Sequence, residues 1–265
     1  MTNTTRQPTF FIPHGGGPCF FMDDPHGTWT GMAAFLRSLP SLLPAPPKAI
    51  LLVSGHWETQ GFAFTESAQP PLIYDYSGFP PDTYQLRYDV PGAPEVARRA
   101  AALLSGAGIA AAVDGARGLD HGVFVPLKVA FPEADVPVVE MSVEHSLDPA
   151  LHLAAGRALA PLRDEGVLII GSGMSFHNMR GYGDPRLTAP STEFDDWLTA
   201  AVTAKADARA ALLSDWEQAP AARQSHPREE HLIPLLVAAG AASGAGQRIY
   251  SEIVMKTAIS GFRFD

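Results

Sequence analysis

The sequence has 265 residues, of which 46% are hydrophobic and 18% are charged, a balance that suits a globular protein with one large α/β domain or two small ones. Its net charge is −9 and its lysines and arginines form no basic run, so we expect neither a nucleic acid nor an anionic membrane as a partner. The single cysteine, Cys19, excludes an internal disulfide and a cysteine-based zinc site, so any metal site must use histidines and carboxylates.

The chain has no obvious targeting segment or domain boundary. Its N-terminal residues 1–7 are polar and lack the order of a signal peptide, and no apolar run is long enough to span a bilayer. We therefore expect a cytoplasmic protein. The proline-rich stretch Pro40–Pro47 is short and a strand follows it at once, so we interpret it as a loop inside a single domain that covers residues 1–265.

The first part of the chain predicts two strands, a long irregular segment and a helix. Thr9–Pro13 is the first strand, and Ala49–Ser54 is a continuous apolar run typical of a central strand that is covered on both faces. Tyr74–Pro94 is rich in aromatic residues, proline and glycine but has little periodicity, which is typical of a binding loop and equally of a packed surface cover. Pro94 begins a helix that continues to Leu104.

The next elements continue this alternation. Val136–Val143 and Val167–Gly171 are apolar and rich in β-branched residues, as buried strands are. Between them, Asp148 and Pro149 form a favourable start for a helix that reaches Arg163.

Two helices complete the prediction. Thr192 and Asp195 resemble a capping box, and the last helix begins at Pro227 and ends near Gly240, with a bend one turn before Pro234. Strands that alternate with helices predict an α/β fold with a mostly parallel central sheet and helices on both faces.

Three of the nine histidines occupy equivalent places in this plan. His14 and His56 each follow a predicted strand directly, and His177 follows another after a few residues. Because ligands bind in the crevice beyond the carboxyl ends of parallel strands, these imidazoles are expected to converge there. His121 lies in a glycine-bounded turn, and His231 lies near the start of the last predicted helix.

A structural interpretation applies to several of these residues. A single histidine after a strand is more often a loop residue or a satisfied buried imidazole than a metal ligand, and it is the repetition, with glycine beside each one, that favours a metal site. His26, His145 and His152 are interpreted as surface or helix residues, and His226 as a structural residue at a helix start. A site of three histidines with open positions would be catalytic rather than structural.

The order and content of the histidine motifs resemble those of the class III extradiol ring-cleavage dioxygenases, in the branch that contains the DOPA 4,5-dioxygenases. The motifs that carry the resemblance run from about Phe10 to the C-terminus. They are His14-Gly15-Gly16-Gly17-Pro18, Ser54-Gly55-His56-Trp57-Glu58, Tyr74-Asp75-Tyr76-Ser77-Gly78-Phe79-Pro80, Gly118-Leu119-Asp120-His121-Gly122, Gly171-Ser172-Gly173 leading to His177-Asn178, and His226-Pro227 leading to Glu230-His231. Many members have His-Gly-Ser-Pro where this chain has three glycines, a departure that affects the substrate pocket rather than ligation.

The resemblance implies a single α/β domain and a mononuclear non-haem metal, with Fe(II) as the working ion and zinc as an alternative in the same site. His14, His56 and His231 match metal-ligand positions in this family. His177 matches a histidine described either as a further ligand or as the acid/base beside the metal, and His121 matches a histidine near the substrate.

The activity implied by the resemblance is extradiol cleavage of a DOPA-like or other substituted catechol by O2. His177 would accept a catechol proton and His121 would hydrogen-bond bound oxygen or substrate. In the loop, Tyr74 and Phe79 are expected to wall the aromatic ring, and Arg87 to contact a substrate carboxylate.

Two other functions use the same residues. A zinc hydrolase would activate water with these histidines and would need no oxygen, and a catalytically silent protein would bind metal without turnover. The substrate, the native metal and the oligomeric state do not follow from the sequence.

Overall fold

The computed structural model describes residues 5–265, so residues 1–4 of the polar N-terminal segment lie outside the described residues. The described strands form one eight-stranded sheet in the order β4-β3-β5-β2-β6-β1-β8-β7. They are β1 (Thr9–Pro13), β2 (Ala49–Thr59), β3 (Phe62–Thr65), β4 (Ala111–Asp114), β5 (Val138–Glu144), β6 (Val167–Gly173), β7 (Gly246–Val254) and β8 (Thr257–Phe264). The four central strands β5, β2, β6 and β1 are parallel, which confirms the predicted fold class.

Helices cover both faces of the sheet. They are α1 (Thr30–Ser38), α2 (Pro94–Gly106), α3 (His121–Ala130), α4 (Pro149–Leu159), α5 (Pro161–Asp164), α6 (Thr188–Thr203), α7 (Ala206–Ser214), α8 (Ala222–Ser225) and α9 (Ile233–Gly240). Because side chains alternate across a strand, Leu51 and Val53 of β2 pack with α2, α4, α6, α7 and α9, whereas Ile50 and Leu52 pack with α1 and α3. The continuous apolar run of β2 therefore contributes side chains to the hydrophobic cores on both faces of the sheet.

The two ends of the sheet contain strands that the sequence prediction missed. β3 runs antiparallel to β5, and β7 and β8 form an antiparallel hairpin that joins the sheet through β1. Short β3 and β4 carry little signal of their own. In β7, Gln247, Ser251 and Ile253 are exposed at the sheet edge, so no continuous apolar run marks that strand.

The helix predicted from Pro149 to Arg163 is interrupted. The Asp148 carboxylate accepts a hydrogen bond from the Ala150 N–H, as the predicted cap requires. However, α4 ends at Leu159 and α5 starts at Pro161, because proline has no N–H to continue the helical ladder.

The capping box predicted at Thr192 is wrong. α6 begins one turn earlier, at Thr188, and the Thr192 hydroxyl donates to the Thr188 carbonyl from inside the helix. Asp195 is buried and accepts from the Ser260 hydroxyl of β8 at 2.9 Å, so it ties α6 to the sheet rather than capping a helix end.

The predicted start of the last helix is also wrong. α9 begins at Ile233, and Pro234 lies in its first turn, where a missing N–H costs nothing, so it does not bend a longer helix. The chain between α8 and α9 is irregular, and His231 therefore lies in a connection rather than on a helix face.

The irregular segment predicted between Tyr74 and Pro94 is present, and contains one 3-10 helix at Pro81–Gln85. Its shape is fixed by tyrosine hydroxyls that donate to backbone carbonyls. Tyr74 donates to Leu86 and Tyr76 donates to Thr83. Among the described residues, no helix has the length and apolar character needed to cross a membrane.

His226 is wholly buried beside the rings of Phe194 and Trp216. It follows α8 and does not cap a helix start as predicted, but its Nε2–H donates to the Ser175 carbonyl at 2.9 Å. Burial lowers the pKa of this imidazole to about 3, so the neutral form is the one that the fold accommodates.

We expect this histidine to make the protein sensitive to acid. Its folded-state pKa of about 3 lies below the unfolded value of 6.5, so its stabilising contribution is complete above pH 6.5 and is lost as pH falls towards 3. The free energy of unfolding of the wild type should fall by up to about 1.4 kcal/mol per pH unit more than that of His226→Gln, whose amide retains the donor. Denaturant titrations of both proteins at pH 7, 6, 5 and 4 measure the difference, and parallel pH curves would contradict this assignment.

Candidate metal centre

The predicted convergence of histidines occurs at one edge of the sheet. His14 follows β1, His177 lies in the connection after β6, and His56 lies near the end of β2. His121 begins α3 and His231 precedes α9, and both rings join the same cluster. The five histidines singled out from the sequence are therefore all brought together.

His56 reaches the cluster through an irregularity in its strand. The predicted strand end at Ser54 is wrong, because β2 continues to Thr59. Its pairing with β5 shifts between Ser54 and Glu58, so the intervening residues, His56 among them, bulge out of register. A bulge re-aims a side chain, and the His56 ring here contacts those of His121 and His231.

Two glycines let the Glu230–His231 backbone approach the strand ends. A Cβ on Gly55 would lie 2.4 Å from the Glu230 carbonyl oxygen, and a Cβ on Gly173 would lie 2.0 Å from that of His231. Any larger residue at either place would displace this connection. The His231 carbonyl also accepts from the Met174 N–H at 3.0 Å, which fixes the approach.

The rings lie in direct contact. The centroid of His14 is 5.1 Å from those of both His56 and His231, and His56 lies 4.6 Å from His231. On one side, His121 lies 4.0 Å from His56, and on the other, His177 stacks on His231 at 3.5 Å.

Hydrogen bonds orient the outer ring nitrogens. His14 Nδ1–H donates to the Gly15 carbonyl at 2.9 Å, and His231 Nδ1–H donates to Glu230 at 3.1 Å. His121 Nδ1–H donates to Asp75 at 2.8 Å. These partners assign the Nδ1–H tautomer and leave each Nε2 with a free lone pair.

The inner nitrogens are the best evidence for a cation. His14 Nε2 is buried and has no hydrogen-bond partner among the described residues. The Nε2 atoms of His56 and His231 lie 3.1 Å apart, and the His231 ring, which donates through Nδ1, offers a lone pair at that contact. A metal ion accounts for this arrangement because it satisfies several lone pairs at once.

Two groups of ligand atoms meet the distance requirement for a metal. The ligand atoms of His14, His56 and His121 lie within 4.8 Å of one another, as do those of His177, Glu230 and His231. By this measure His121 joins His14 and His56, whereas His231 falls in the second group. The close contact of the His56 and His231 Nε2 atoms joins the two groups.

Electrostatics keep the central imidazoles neutral. Burial, together with neighbouring histidines, lowers the pKa of His14, His56 and His231, for His56 to about 4. Burial raises the pKa of Glu230, but hydrogen bonds from His177 and His231 outweigh that effect, so its carboxyl pKa is lowered and the group is ionised. Neutral imidazole beside a carboxylate is the donor set that zinc and iron accept, so the residues fit a metal.

A buried network of hydrogen bonds and ion pairs connects β2 and β5 with the residue that precedes α3. The Ser54 hydroxyl donates to Asp120 at 2.8 Å, and the Asp120 N–H donates to Glu140 at 3.0 Å. Arg117 forms ion pairs with both carboxylates. Glu140 and Arg117 were not predicted, because nothing local in the sequence marks a partner 20 residues away.

The cluster opens into a cavity of about 490 Å³. Phe79 lines it, as predicted, but Tyr74 and Arg87 do not. The Tyr74 hydroxyl is committed to the Leu86 carbonyl, and Arg87 points to solvent, where it pairs with Asp89. Neither Tyr74 nor Arg87 thus lies in the cavity lining of this structure, and their contact with substrate stays a prediction.

Other lining residues were missed. Asp75 lies inside a motif that the sequence singled out, and its pairing with His121 could have been proposed from that motif. Three more come from separate elements: Trp29 directly precedes α1, Met174 directly follows β6, and Met255 lies in the β7–β8 turn. No signal in the sequence connects these three residues.

Comparison with known proteins identifies relatives that align with most of the chain. Residues 8–263 match the family model described as the catalytic LigB subunit of aromatic ring-opening dioxygenase. The chain is 40% identical to a dioxygenase of Hapsidospora irregularis over 266 aligned positions, which cover 91% of this chain and 80% of that protein. It is also 40% identical to the 4,5-DOPA dioxygenase extradiol of Beta vulgaris over 257 positions, which cover 93% of this chain and 90% of the relative.

A solved structure supports the fold. The crystal structure of an uncharacterized protein from Escherichia coli K12 superimposes with a TM-score of 0.77 at 28% sequence identity. The match covers 98% of this chain and all of that one.

The glycine tract after His14 provides a test of how closely the cavity wall is packed. Gly17 has φ +54°, and a Cβ there would lie 2.7 Å from the Phe79 ring, whereas a Cβ on Gly16 would lie 3.6 Å from Trp29. We expect Gly17→Ala to lower the free energy of unfolding by about 1–3 kcal/mol and Gly16→Ala by less than ~0.5 kcal/mol. Chemical denaturation measures both, and equal losses would contradict the described wall.

Proposed function

The chain belongs to the catalytic LigB family of aromatic ring-opening dioxygenases, and we propose that it carries out extradiol cleavage of a catechol with Fe(II) held by His14, His56 and His231. It is an enzyme whose substrates are an aromatic compound and O2. The observation that carries the proposal is the buried, unpartnered His14 Nε2 beside the paired Nε2 atoms of His56 and His231.

The catechol part of the proposal comes from the relatives and from the site's basic groups. Several relatives bear the name 4,5-DOPA dioxygenase extradiol, which denotes ring opening beside a catechol oxygen. A catechol must lose protons before its ring becomes electron-rich enough to react. The cavity supplies imidazoles for that purpose, and His177 and His121 line it beside the proposed ligands.

We choose His231 rather than His121 as third ligand for two reasons. His231 Nε2 lies in contact with His56 Nε2. By the resemblance described in the sequence analysis, His231 also matches a ligand position of the related dioxygenases. Fe(II) bound there would supply the route by which electrons pass from the deprotonated ring to O2. Zinc would fit the same nitrogens but has no redox chemistry, so activity distinguishes the two ions.

We assign His177 as the base that accepts a catechol proton. Its Nδ1 lies 3.3 Å from Glu230, so an imidazolium formed by proton uptake at Nε2 would face an ionised carboxylate. The ring stacks on His231, which holds it beside the proposed ligand and inside the cavity. A pre-oriented base of this kind accelerates proton transfer without further reorganisation.

His121 is assigned to hydrogen bonding with substrate. Asp75 accepts from both its backbone N–H and its Nδ1–H, at 2.9 and 2.8 Å, which fixes the ring and leaves Nε2 towards the cavity. Burial raises the pKa of Asp75, but these hydrogen bonds outweigh it, and the net pKa is lowered, so the carboxylate is ionised. The imidazole is thereby held at one angle beside His56.

Turnover is expected only with iron and oxygen. Protein purified anaerobically and loaded with Fe(II) should consume one O2 for each catechol and form a yellow ring-opened product, and the zinc-loaded protein should not. An oxygen electrode and absorbance spectra measure both, across catechol, DOPA, caffeate and protocatechuate. Absence of oxygen uptake across the panel would contradict the dioxygenase proposal, and oxygen-independent turnover by the zinc form would favour a hydrolase.

The roles of three histidines separate when metal content and turnover are measured together. We expect His231→Ala to lose stoichiometric metal, His121→Ala to keep it, and His177→Ala to keep it while kcat falls by about 10²–10⁴-fold, the range for a lost acid/base group. Metal analysis by mass spectrometry and oxygen uptake give the two values. Loss of metal from His121→Ala, with retention by His231→Ala, would reverse the assigned third ligand.

A further inference from the structure

The cavity wall outside the histidines is largely apolar. Three methionines contribute to it, Met174, Met179 and Met255. Aromatic side chains complete this part of the wall, namely Trp29, Tyr76, Phe79 and Tyr182. The cavity volume of about 490 Å³ lies within the range that holds drug-sized ligands, roughly 300–1,000 Å³, so it has room for a substituent beyond a single ring.

The cavity wall has few side chains that could form an ion pair with a charged substituent. Among the described residues, no lysine or arginine lines the cavity. Asp75 is its single carboxylate, and that group is already bound to His121. Arg180 and Lys256 adjoin Met179 and Met255 in sequence, but both are exposed and neither belongs to the lining.

Arginines near the site are engaged elsewhere. Arg87 pairs with Asp89 and its side chain is 80% exposed. Arg228 pairs with Glu58 and Glu230 outside the lining.

The tyrosine hydroxyls are also committed. Tyr76 donates to the Thr83 carbonyl at 2.6 Å, and Tyr182 donates to the Phe176 carbonyl at 2.7 Å. Both rings therefore present carbon to the cavity while their hydroxyl protons bond to backbone. A carboxylate on the substituent would give up hydration and would find no lysine or arginine among the described residues of the wall, which is costly.

We propose, on the basis of the dioxygenase function above, that the preferred catechol carries an uncharged, apolar substituent, and that Met174, Met179 and Met255 form the surface that binds it. Such a substituent differs from that of DOPA, the amino acid for which several relatives are named. Methionine suits such a surface because its flexible, polarisable side chain adapts to alkyl and aromatic groups.

Three catechols with the same ring and similar side-chain length test the proposal. They are 4-propylcatechol, which is neutral, 3-(3,4-dihydroxyphenyl)propionate, which carries a carboxylate, and dopamine, which carries an ammonium group. With the Fe(II)-loaded protein, kcat/KM for 4-propylcatechol should exceed that for each charged compound at least tenfold. Anaerobic calorimetric titration of the zinc-loaded protein should give dissociation constants in the same order, independently of turnover.

A pair of variants tests the role of the wall. Met179→Arg places a cation in the lining. It should reduce the preference for 4-propylcatechol over the propionate at least tenfold, because a tenfold change corresponds to the free energy of about one charge-assisted hydrogen bond. Ile253→Arg adds the same charge at an exposed position outside the lining and should leave the ratio unchanged.

The outcomes separate the two proposals. Equal use of the three catechols, or preference for a charged one, would overturn the apolar-substituent proposal while leaving the dioxygenase function intact. An unchanged ratio in Met179→Arg would likewise overturn the assigned surface. Absence of oxygen uptake with all three compounds would instead count against the dioxygenase function itself.

Discussion

The histidine cluster depends on the close approach of one irregular backbone segment to two strand ends. Glu230 and His231 lie against Gly55 of β2 and Gly173 of β6, at distances that no Cβ would permit. This approach places His231 Nε2 on His56 Nε2 and brings Glu230 to His177. Because the parallel strands end at the same edge, His14 is already there, and the rest of the site is arranged around these contacts.

Hydrogen-bond acceptors around the histidine cluster determine which ring nitrogens carry protons and which offer lone pairs to its centre. A carbonyl behind His14, Glu230 behind His231 and Asp75 behind His121 each take an Nδ1 proton, so that lone pairs face inwards. Burial of the central rings keeps them neutral, while the ionised Glu230 lies where a protonated His177 would need a counter-charge. Neutral ligand groups and a base with a counter-charge for its protonated form can therefore share one small volume.

The sequence predicted the central strands and the five clustered histidines, because apolar runs and strand-end positions are local signals. It misplaced His56 and His231, since a bulge and an irregular connection are set by tertiary contacts rather than by periodicity. Its prediction that Arg87 contacts a substrate carboxylate stays open, since Arg87 is exposed here and pairs with Asp89 two residues away. Met255 could not be predicted, because it reaches the cavity from a hairpin turn far from every motif.

The pairing of the first strand with the last one has a consequence for how the protein is made. β1, which carries His14 at its end, bonds to β8 through pairs such as Thr9 with Phe264. The sheet on that side of β1 is therefore complete only after β8 has been synthesised and has left the ribosome. Because His14 follows β1 directly, we expect the metal site to form fully only after β8 has paired with β1, although β6 supports β1 on its other side.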